Sequence, residues 1–543
     1  MKEGSKLNFI IIISIITLII LDAFITYVMR HYLTKCQQTI IFCCLAFMSI
    51  FELIRLEAVP GFFGDEAYAM YDSWSLAHFG IDRQLMHNAI YSLTSGGQSV
   101  LYEHLTISLM KLFGMNLSAF RFPMAFLTVF SVIFLVYALY RNKISNNITT
   151  GITFSLCTAQ WLLMYGHWTM DCNIAVPLFI LMIDFILIGF SGRKYNLYLG
   201  IVIMILLTYS YVGLWIALPF IYVFTLWLLY KEKKFNKLDI LTTIGISLIL
   251  LTPIFCYVVV QFFNVPKFKF LWFSVAPLGA TRAANSMVSF KTNGFFTSIL
   301  SNVVNGISIL ITGVAHTSTS SYTSVPYFGI FYLINFIFLV YAFYRIMKQK
   351  KHSITVKYLI CISLAIVPII LFVQAGFWHW PSVFLIANIW SGIGLGLFLQ
   401  SHVKKISKLI LICVLLFETG SFTHYYFTNY AKDEIKANQL GGYSINYKQS
   451  KKFIDQLKEL HVDTYYGIPF YNVSFMGCLI PTRPQNLNAL QNKWQSNIPN
   501  EIQPQSAAYI VPENQKDNFQ FLQGLPYKKM NVNYTEYIVY YNK

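Results

Sequence analysis

The sequence predicts a polytopic α-helical membrane protein of about twelve transmembrane helices, closed by a small extracytoplasmic α+β domain. Three observations predict it. Of 543 residues, 56% are hydrophobic and only 12% are charged. The apolar residues gather in uniform blocks of about 17 to 23, long enough to cross a bilayer and without the polar face of a soluble helix. From about position 425 the apolar runs shorten, and Asn, Gln, Lys and Tyr rise. A formal charge of +17 could suit nucleic acid in a soluble chain. Here most Lys and Arg lie in short connections between apolar blocks, where they set topology, so no nucleic-acid partner is expected.

The first block, about 8–28, is read as a retained helix, because its apolar run is long and no A-x-A-like site follows before Arg30. Further spans are expected at about 38–56, 119–140, 148–165, 174–190, 196–211, 213–230, 240–262, 326–345, 356–375, 380–400 and 408–424. Alternate connections hold Arg30 and Lys35, Arg141 and Lys143, Arg193 and Lys194, the lysines from Lys231 to Lys237, those from Lys348 to Lys357, and Lys404, Lys405 and Lys408. The positive-inside rule places that set in the cytoplasm. The long connections 57–118 and 263–325 and both termini then lie outside, with amphipathic stretches near 65–79 and 98–113. The chain divides into a membrane domain, 1–424, and an outer domain, 425–543. In the latter, 448–460 has helical spacing with Phe453, Leu457 and Leu460 on one face, and segments starting at Asp463, Ser506 and Thr535 read as strands. Cys172 and Cys478 are the cysteines placed outside, the one pair open to bridging, and no C-x-x-C or metal-type spacing occurs.

The first outer connection concentrates the chemistry. Asp65 and Glu66 follow P-G-F-F-G a few residues past the second span. A carboxylate at the bilayer centre costs roughly 2.5–3.5 kcal/mol, so both belong at the interface or in a polar cavity. The plain reading is a helix start, with Asp65 as N-cap and Glu66 favouring the helix dipole. Asp171, in G-H-W-T-M-D-C-N at the outer end of another helix, raises the alternative: two carboxylate sites distant in sequence reach one interface, as acid/base or metal sites require. Gly96-Gly97-Gln98 is either a turn or a set of donors for an anion. His87, His104, His167 and His379, with Arg83, Arg121, Lys267, Lys269, Arg282 and Lys291, are the cations expected outside for a phosphate. The aromatic residues at outer helix ends, among them Tyr68, Trp168 and Trp378, read mainly as an interfacial belt.

These pieces resemble the membrane glycosyltransferases of the GT-C type, in the branch of protein O-mannosyltransferases and the aminoarabinose lipid A transferase. The resemblance rests on Gly64-Asp65-Glu66-Ala67, on Gly96 through Tyr102, on Lys111-Leu112-Phe113-Gly114 through Arg121 and Pro123, and on W-T-M-D-C-N at 168–173, with T-Y-S-Y at 208–211 and P-Y-F-G at 326–329. It covers roughly 38–400. It implies a donor sugar on a polyprenyl phosphate, attack by an acceptor hydroxyl at the outer face, and departure of lipid phosphate. Asp65 is then the base, and Glu66 and Asp171 orient the acceptor or sugar. Gln98 and Tyr102 stand in the donor-binding loop, Gln98 where several relatives carry a phosphate-binding Lys. His167 lies near the second acidic site, where many relatives have a basic residue; His379 falls where a late polar patch is expected, and Arg282 is among the cations available to phosphate. The acceptor is a cell-surface or cell-wall glycan, a lipid or a protein. No cofactor is required, and a divalent metal stays open. Two other readings remain: a transporter or flippase of a lipid-linked or polar substrate, which should show midplane charges and internal repeats, and a non-catalytic glycolipid-binding relative.

Overall fold

The computed structural model describes residues 3–93, 97–278, 286–290, 294–312, 328–438, 444–470 and 473–542. In chain order it begins with α1 (Glu3–Val28) and α2 (Lys35–Leu53), then the strand β1 (Phe62–Phe63) and α3 (Gly64–Phe79). The paired strands β2 (Tyr91–Ser92) and β3 (Gln98–Ser99) lead into α4 (Leu101–Phe113) and α5 (Leu117–Arg141). Next come α6 (Asn146–Cys157), α7 (Gln160–His167), α8 (Ala175–Ser191), α9 (Lys194–Leu206), α10 (Leu218–Lys231) and α11 (Lys237–Phe263). A hairpin of β4 (Phe268–Phe270) and β5 (Phe273–Val275) precedes α12 (Phe295–Thr312), α13 (Leu333–Met347), α14 (Ile354–Ala365), α15 (Val367–Phe372), α16 (Pro381–Gln400) and α17 (Lys405–Tyr425). The C-terminal part holds α18 (Ala431–Asn438), β6 (Ser444–Ile445), α19 (Tyr447–Lys458), β7 (Thr464–Tyr466), α20 (Val473–Leu479), α21 (Leu487–Lys493), β8 (Ala507–Pro512), β9 (Tyr527–Val532) and β10 (Thr535–Asn542).

The middle of the bundle is α16 packed on α6. Lipid tails are as apolar as leucine, so membrane helices associate by close backbone approach rather than by hydrophobic exclusion. Gly392 and Gly396, one turn apart, provide it. A Cβ on Gly392 would stand 2.5 Å from Ile152 Cα, and one on Gly396 2.5 Å from Ile148 Cα. Asn388, one turn earlier, donates to the Ser155 carbonyl (2.6 Å) and accepts from the Trp161 indole (3.2 Å), which pins the register with satisfied polar groups.

Eight helices among the described residues are long and apolar enough to cross a membrane, which corrects the expected count of about twelve. Four of the expected spans exist as shorter apolar helices: Ala175–Ser191, Lys194–Tyr209, Leu218–Lys231 and Leu333–Met347. At 1.5 Å per residue they run about 21–26 Å, less than the roughly 30 Å of a typical hydrocarbon core. The expected span 148–165 is broken at Thr158 and Ala159 into α6 and α7. Conversely, α12 lies inside the expected outer connection 263–325 and is itself long and apolar enough to span. Its buried residues are Ser298, Asn302, Gly306 and Ile309. Asn302 donates to the carbonyls of Ile370 and Val373, both at 2.9 Å, so this helix hides a polar stripe against α15.

The C-terminal part is α+β, as expected. Its sheet has the order β7-β8-β10-β9, parallel between β7 and β8 and antiparallel elsewhere. The expected helix is α19, with Phe453, Ile454 and Leu457 buried, and the three expected strands are β7, β8 and β10. This domain is fastened to the first outer connection. Strand β1 pairs with β6, Phe62 opposite Ile445 and Phe63 opposite Ser444. The Tyr71 hydroxyl donates to the Thr482 carbonyl (2.7 Å), Arg83 Nη1 to Ser474 Oγ (3.0 Å) and the Tyr447 hydroxyl to the Met115 carbonyl (3.1 Å). All cysteines are free. Cys478 Sγ instead donates to the Ala67 carbonyl, at 3.4 Å, and Cys172 Sγ to Asn173 Oδ1, at 3.1 Å, so the Cys172–Cys478 bridge left open by the sequence is absent.

Candidate functional site

Asp65 and Glu66 open α3, but the N-cap is Phe63, not Asp65. Glu66 sits three residues on, its Oε2 accepting from the Phe63 amide at 3.5 Å. Its main partner is Arg121 on α5, which grips both carboxylate oxygens, Nε to Oε1 at 2.7 Å and Nη2 to Oε2 at 2.6 Å. The Thr169 hydroxyl donates to Oε1 as well. Arg121 spends its other donors on the carbonyls of Leu56 (2.8 Å), Pro60 (3.0 Å) and Gly61 (2.9 Å). Both side chains are wholly buried. A bidentate pair with its remaining donors satisfied is the arrangement in which burying two charges is tolerated. Glu66 therefore braces the start of α3, and the carboxylate expected to orient acceptor or sugar is wholly buried against Arg121. Arg121 is consumed in the same way and is no cation for an outside phosphate.

Asp65 is half-buried. Its carbonyl accepts from Gln98 Nε2 at 3.2 Å, and the next residue along β3, Ser99, gives its amide to Asp171 Oδ2, also at 3.2 Å. One two-residue strand thus touches both the Asp65 backbone and the Asp171 carboxylate. Local sequence explains the placement. Gly97 enters the strand at φ +101°, a backbone region that glycine occupies without strain. The W-T-M-D-C-N turn is stapled internally by Asn173 Nδ2, which donates to the carbonyls of Tyr165 (3.0 Å) and Trp168 (2.9 Å). The Trp168 indole then donates to the Gly61 carbonyl at 3.4 Å. Gln98 is buried, and its Oε1 has no hydrogen-bond partner among the described residues. An amide with one satisfied end and one open end is suited to a donor group on a ligand.

A second acidic group adjoins. Asp72 lies seven residues after Asp65, on the same side of α3 at helical spacing. It accepts from the Arg83 amide (2.9 Å) and pairs with the Arg83 guanidinium (3.3 Å), which also lies 3.8 Å over the Tyr68 ring. Glu103 of α4 and Asp82 face the same guanidinium. Burial lifts all three carboxyls above their ordinary range, Asp72 to about 6, with Arg83 pulling it back. Glu103 is pushed well up, first by burial and then by the charges of Asp72 and, more weakly, Asp171. Asp72 and Glu103 were not singled out in the sequence; the i, i+7 spacing from Asp65 is the signal that could have found Asp72.

The remaining expected residues divide. Tyr102 is buried, with its hydroxyl donating to the Phe120 carbonyl and its ring edge-on to Phe120, so it braces α4 on α5 instead of meeting a ligand. His167 is buried and neutral, pushed down to about 3 by burial. Its Nε2 meets the Phe51 carbonyl (2.8 Å) and its Nδ1 the Tyr426 hydroxyl (3.2 Å), which corrects its expected place near a phosphate. His379 is half-buried and its Nδ1 meets the Tyr211 hydroxyl, joining the T-Y-S-Y and W-H-W segments. The neighbouring Trp378 ring is 4.9 Å from that of Trp168. Arg282 and Lys291 lie outside the described residues. Lys267 and Lys269 are exposed on the β4–β5 hairpin. That hairpin docks beside β2, with the Ile90 amide donating to the Ser274 carbonyl at 3.3 Å. Among the described residues no three His, Cys, Asp or Glu side chains are grouped to hold a metal.

Next to β3 opens a cavity of about 510 Å³ between α4, α11 and the β4–β5 hairpin. Its walls include Val100, Leu101, Tyr209, Leu250, Leu271 and Phe273, and they are almost entirely apolar. Ser99, which holds Asp171, also donates through its hydroxyl to the Tyr209 carbonyl on that wall.

Two crystal structures of ArnT from Cupriavidus metallidurans share this fold. The one bound to undecaprenyl phosphate matches with a TM-score of 0.55, at 11% identity over 92% of this chain and 97% of that one. The apo structure matches with a TM-score of 0.51 at the same identity and coverage. No family model matches the sequence, and no curated protein does.

Proposed function

We propose that the protein transfers a sugar from a polyprenyl-phosphate donor to an acceptor hydroxyl on the extracytoplasmic side of the membrane. The observation that supports this reading is that β3 touches both the Asp65 backbone and the Asp171 carboxylate and leads directly into the wall of an apolar cavity at Val100 and Leu101. A lipid-linked donor needs both an apolar bed for its isoprenoid chain and polar groups at the point where chain meets phosphate. In this scheme the acceptor hydroxyl attacks the anomeric carbon and gives its proton to Asp65. The anomeric carbon–oxygen bond to phosphate breaks, and polyprenyl phosphate leaves with the bonding electrons. Asp171 orients the sugar or acceptor. Glu66 acts through Arg121, holding Asp65 at the first turn of α3. The exposed Lys267 and Lys269 are the groups assigned to the leaving phosphate, and the open Gln98 Oε1 is assigned to a hydroxyl of the sugar or acceptor. The solved fold relative that holds undecaprenyl phosphate supports the donor class.

The test is transfer of radiolabelled sugar from a polyprenyl-phosphate donor by purified protein. Asp65→Asn and Asp171→Asn should each abolish measurable product while leaving the thermal midpoint in place. Transfer at the wild-type rate in both variants ends the assignment. Transport is the competing reading, and one observation favours it: Asp22 and Asp184 are buried within apolar helices with oxygens unpartnered among the described residues. Donor translocation across vesicles that is lost in Asp184→Asn, with no transfer in any variant, would select it.

A further inference from the structure

The C-terminal domain carries a second recess that the transfer scheme does not use. It is a groove of about 890 Å³ between α18, α19 and β9. Five lysines line it, Lys432 and Lys436 from α18, Lys452 from α19, and Lys528 and Lys529 from β9, against a single carboxylate, Glu459. Lys529 is partly neutralised by Glu513 (2.5 Å) and Glu536 (3.7 Å). Lys432, Lys436, Lys452 and Lys528 are exposed and make no ion pair among the described residues. Lysines on an edge strand commonly protect it from pairing with another chain, and β9 is an edge. That accounts for Lys528 and Lys529, but not for three lysines converging from two helices. Like charges brought together at one recess are unfavourable unless something anionic sits among them.

The rest of the lining specifies the ligand further. Gln449, Gln456 and Asn531 offer donors and acceptors to hydroxyls, and the exposed Tyr534 offers ring surface. Amides with aromatic faces suit a sugar or polyol, and ammonium groups suit its anionic substituents. The groove is also wired to the acidic site. Gln449 on its wall accepts from the Asn533 amide (3.1 Å), and Asn533 accepts from the Asn446 amide (2.9 Å). Asn446 follows β6, the strand paired with β1 directly before Asp65.

We infer that the lysine groove between α18, α19 and β9 binds an anionic glycan chain and that this chain is the acceptor whose hydroxyl is presented to Asp65. The acceptor role rests on the transfer reading above; the binding does not. Phosphate and uronate substituents satisfy the same lysines, so the anion is named by its charge and the experiment separates the two.

The experiment uses full-length protein in nanodiscs of zwitterionic lipid and fluorescence anisotropy with three labelled chains of matched length: poly(glycerol phosphate), polygalacturonate and neutral dextran. At least one polyanion should bind, more weakly as salt rises, and dextran should not. The tighter polyanion identifies the substituent. Replacing Lys432, Lys436, Lys452 and Lys528 together by Gln should weaken binding about tenfold or more, with the thermal midpoint unchanged because these side chains are exposed. Wild-type affinity in that variant, equal binding of dextran, or lysine-dependent capture of anionic vesicles with no polymer binding overturns the groove assignment. Asp65→Asn should leave polymer binding intact. A protein that holds the polymer through these lysines yet transfers no sugar overturns the transfer reading alone; one that transfers sugar while the four-lysine variant keeps its polymer overturns the groove alone.

Discussion

The two acidic groups of the first outer connection are built on opposite principles. Around Glu66 one carboxylate meets one guanidinium, and every donor of Arg121 ends on an oxygen. Around Arg83 a single guanidinium acts on Asp72, Asp82 and Glu103, and the carboxyls are raised first by burial, with neighbouring carboxylates adding to it at Asp72 and Glu103. The balanced group is a fastening. The crowded one gathers carboxyls whose charged forms burial disfavours, with Asp171 among the charges acting on Glu103. Adjacent residues in a sequence can thus belong to a brace and to a reactive edge, and only the partner decides which.

This contrast can be broken first at the brace. Arg121→Met leaves Glu66 buried without compensation, which typically costs about 3–5 kcal/mol. Folded protein recovered by size-exclusion chromatography should fall sharply. Recovery at the wild-type level would mean that Glu66 is not held as described. At the reactive edge the expectation is reversed. Asp65→Asn should fold normally and lose about 10²–10⁴-fold in transfer rate. Charge removal gives the sharper comparison. Glu66→Gln weakens a satisfied ion pair and should lower the thermal midpoint, whereas Glu103→Gln replaces a carboxyl already pushed well up by burial and should leave the midpoint unchanged or slightly higher. Equal losses in the two variants would erase the distinction. The smallest effect is a pH slope. Asp72 binds its proton more tightly folded, at about 6, than unfolded, near 3.8. Its contribution to stability is therefore complete below about pH 3.8 and is lost as pH rises through about 6. Thermal midpoints of Asp72→Asn should show a flatter dependence across that window than the wild type.

The sequence carried most of the bundle and part of the site. Long apolar runs announce helices, but α8, α9, α10 and α13 are too short to count as spans by length, and hydropathy alone does not register the break before α7. Helix α12 falls inside the expected connection 263–325 because Ser298, Asn302 and Gly306 dilute its apolar run; those residues are buried against protein. In the C-terminal domain β9, Y-K-K-M-N-V, escaped because this edge strand opens on two consecutive lysines and buries only Met530 and Val532. Asp65 and Asp171 were legible as carboxylates at the ends of apolar segments. The partners that separate their roles from that of Glu66 were not, since Arg121 lies 55 positions away and Thr169 lies 103. His167 misled for a related reason: a histidine beside an acidic motif reads as surface, and only packing against Phe51 and Tyr426 shows it sealed.

The ladder between β1 and β6 has a bearing on how the molecule comes into being. The Gly61 amide finds its acceptor, Glu434, 373 positions later, and Phe62 and Phe63 find their strand partners only after that. During synthesis the segment that introduces Asp65 emerges early and waits, unpaired, until Ser444 and Ile445 have been made. A nascent or truncated chain accordingly lacks the clasp that seats the first turn of α3, and the acid site is finished among the last parts of the protein to be assembled.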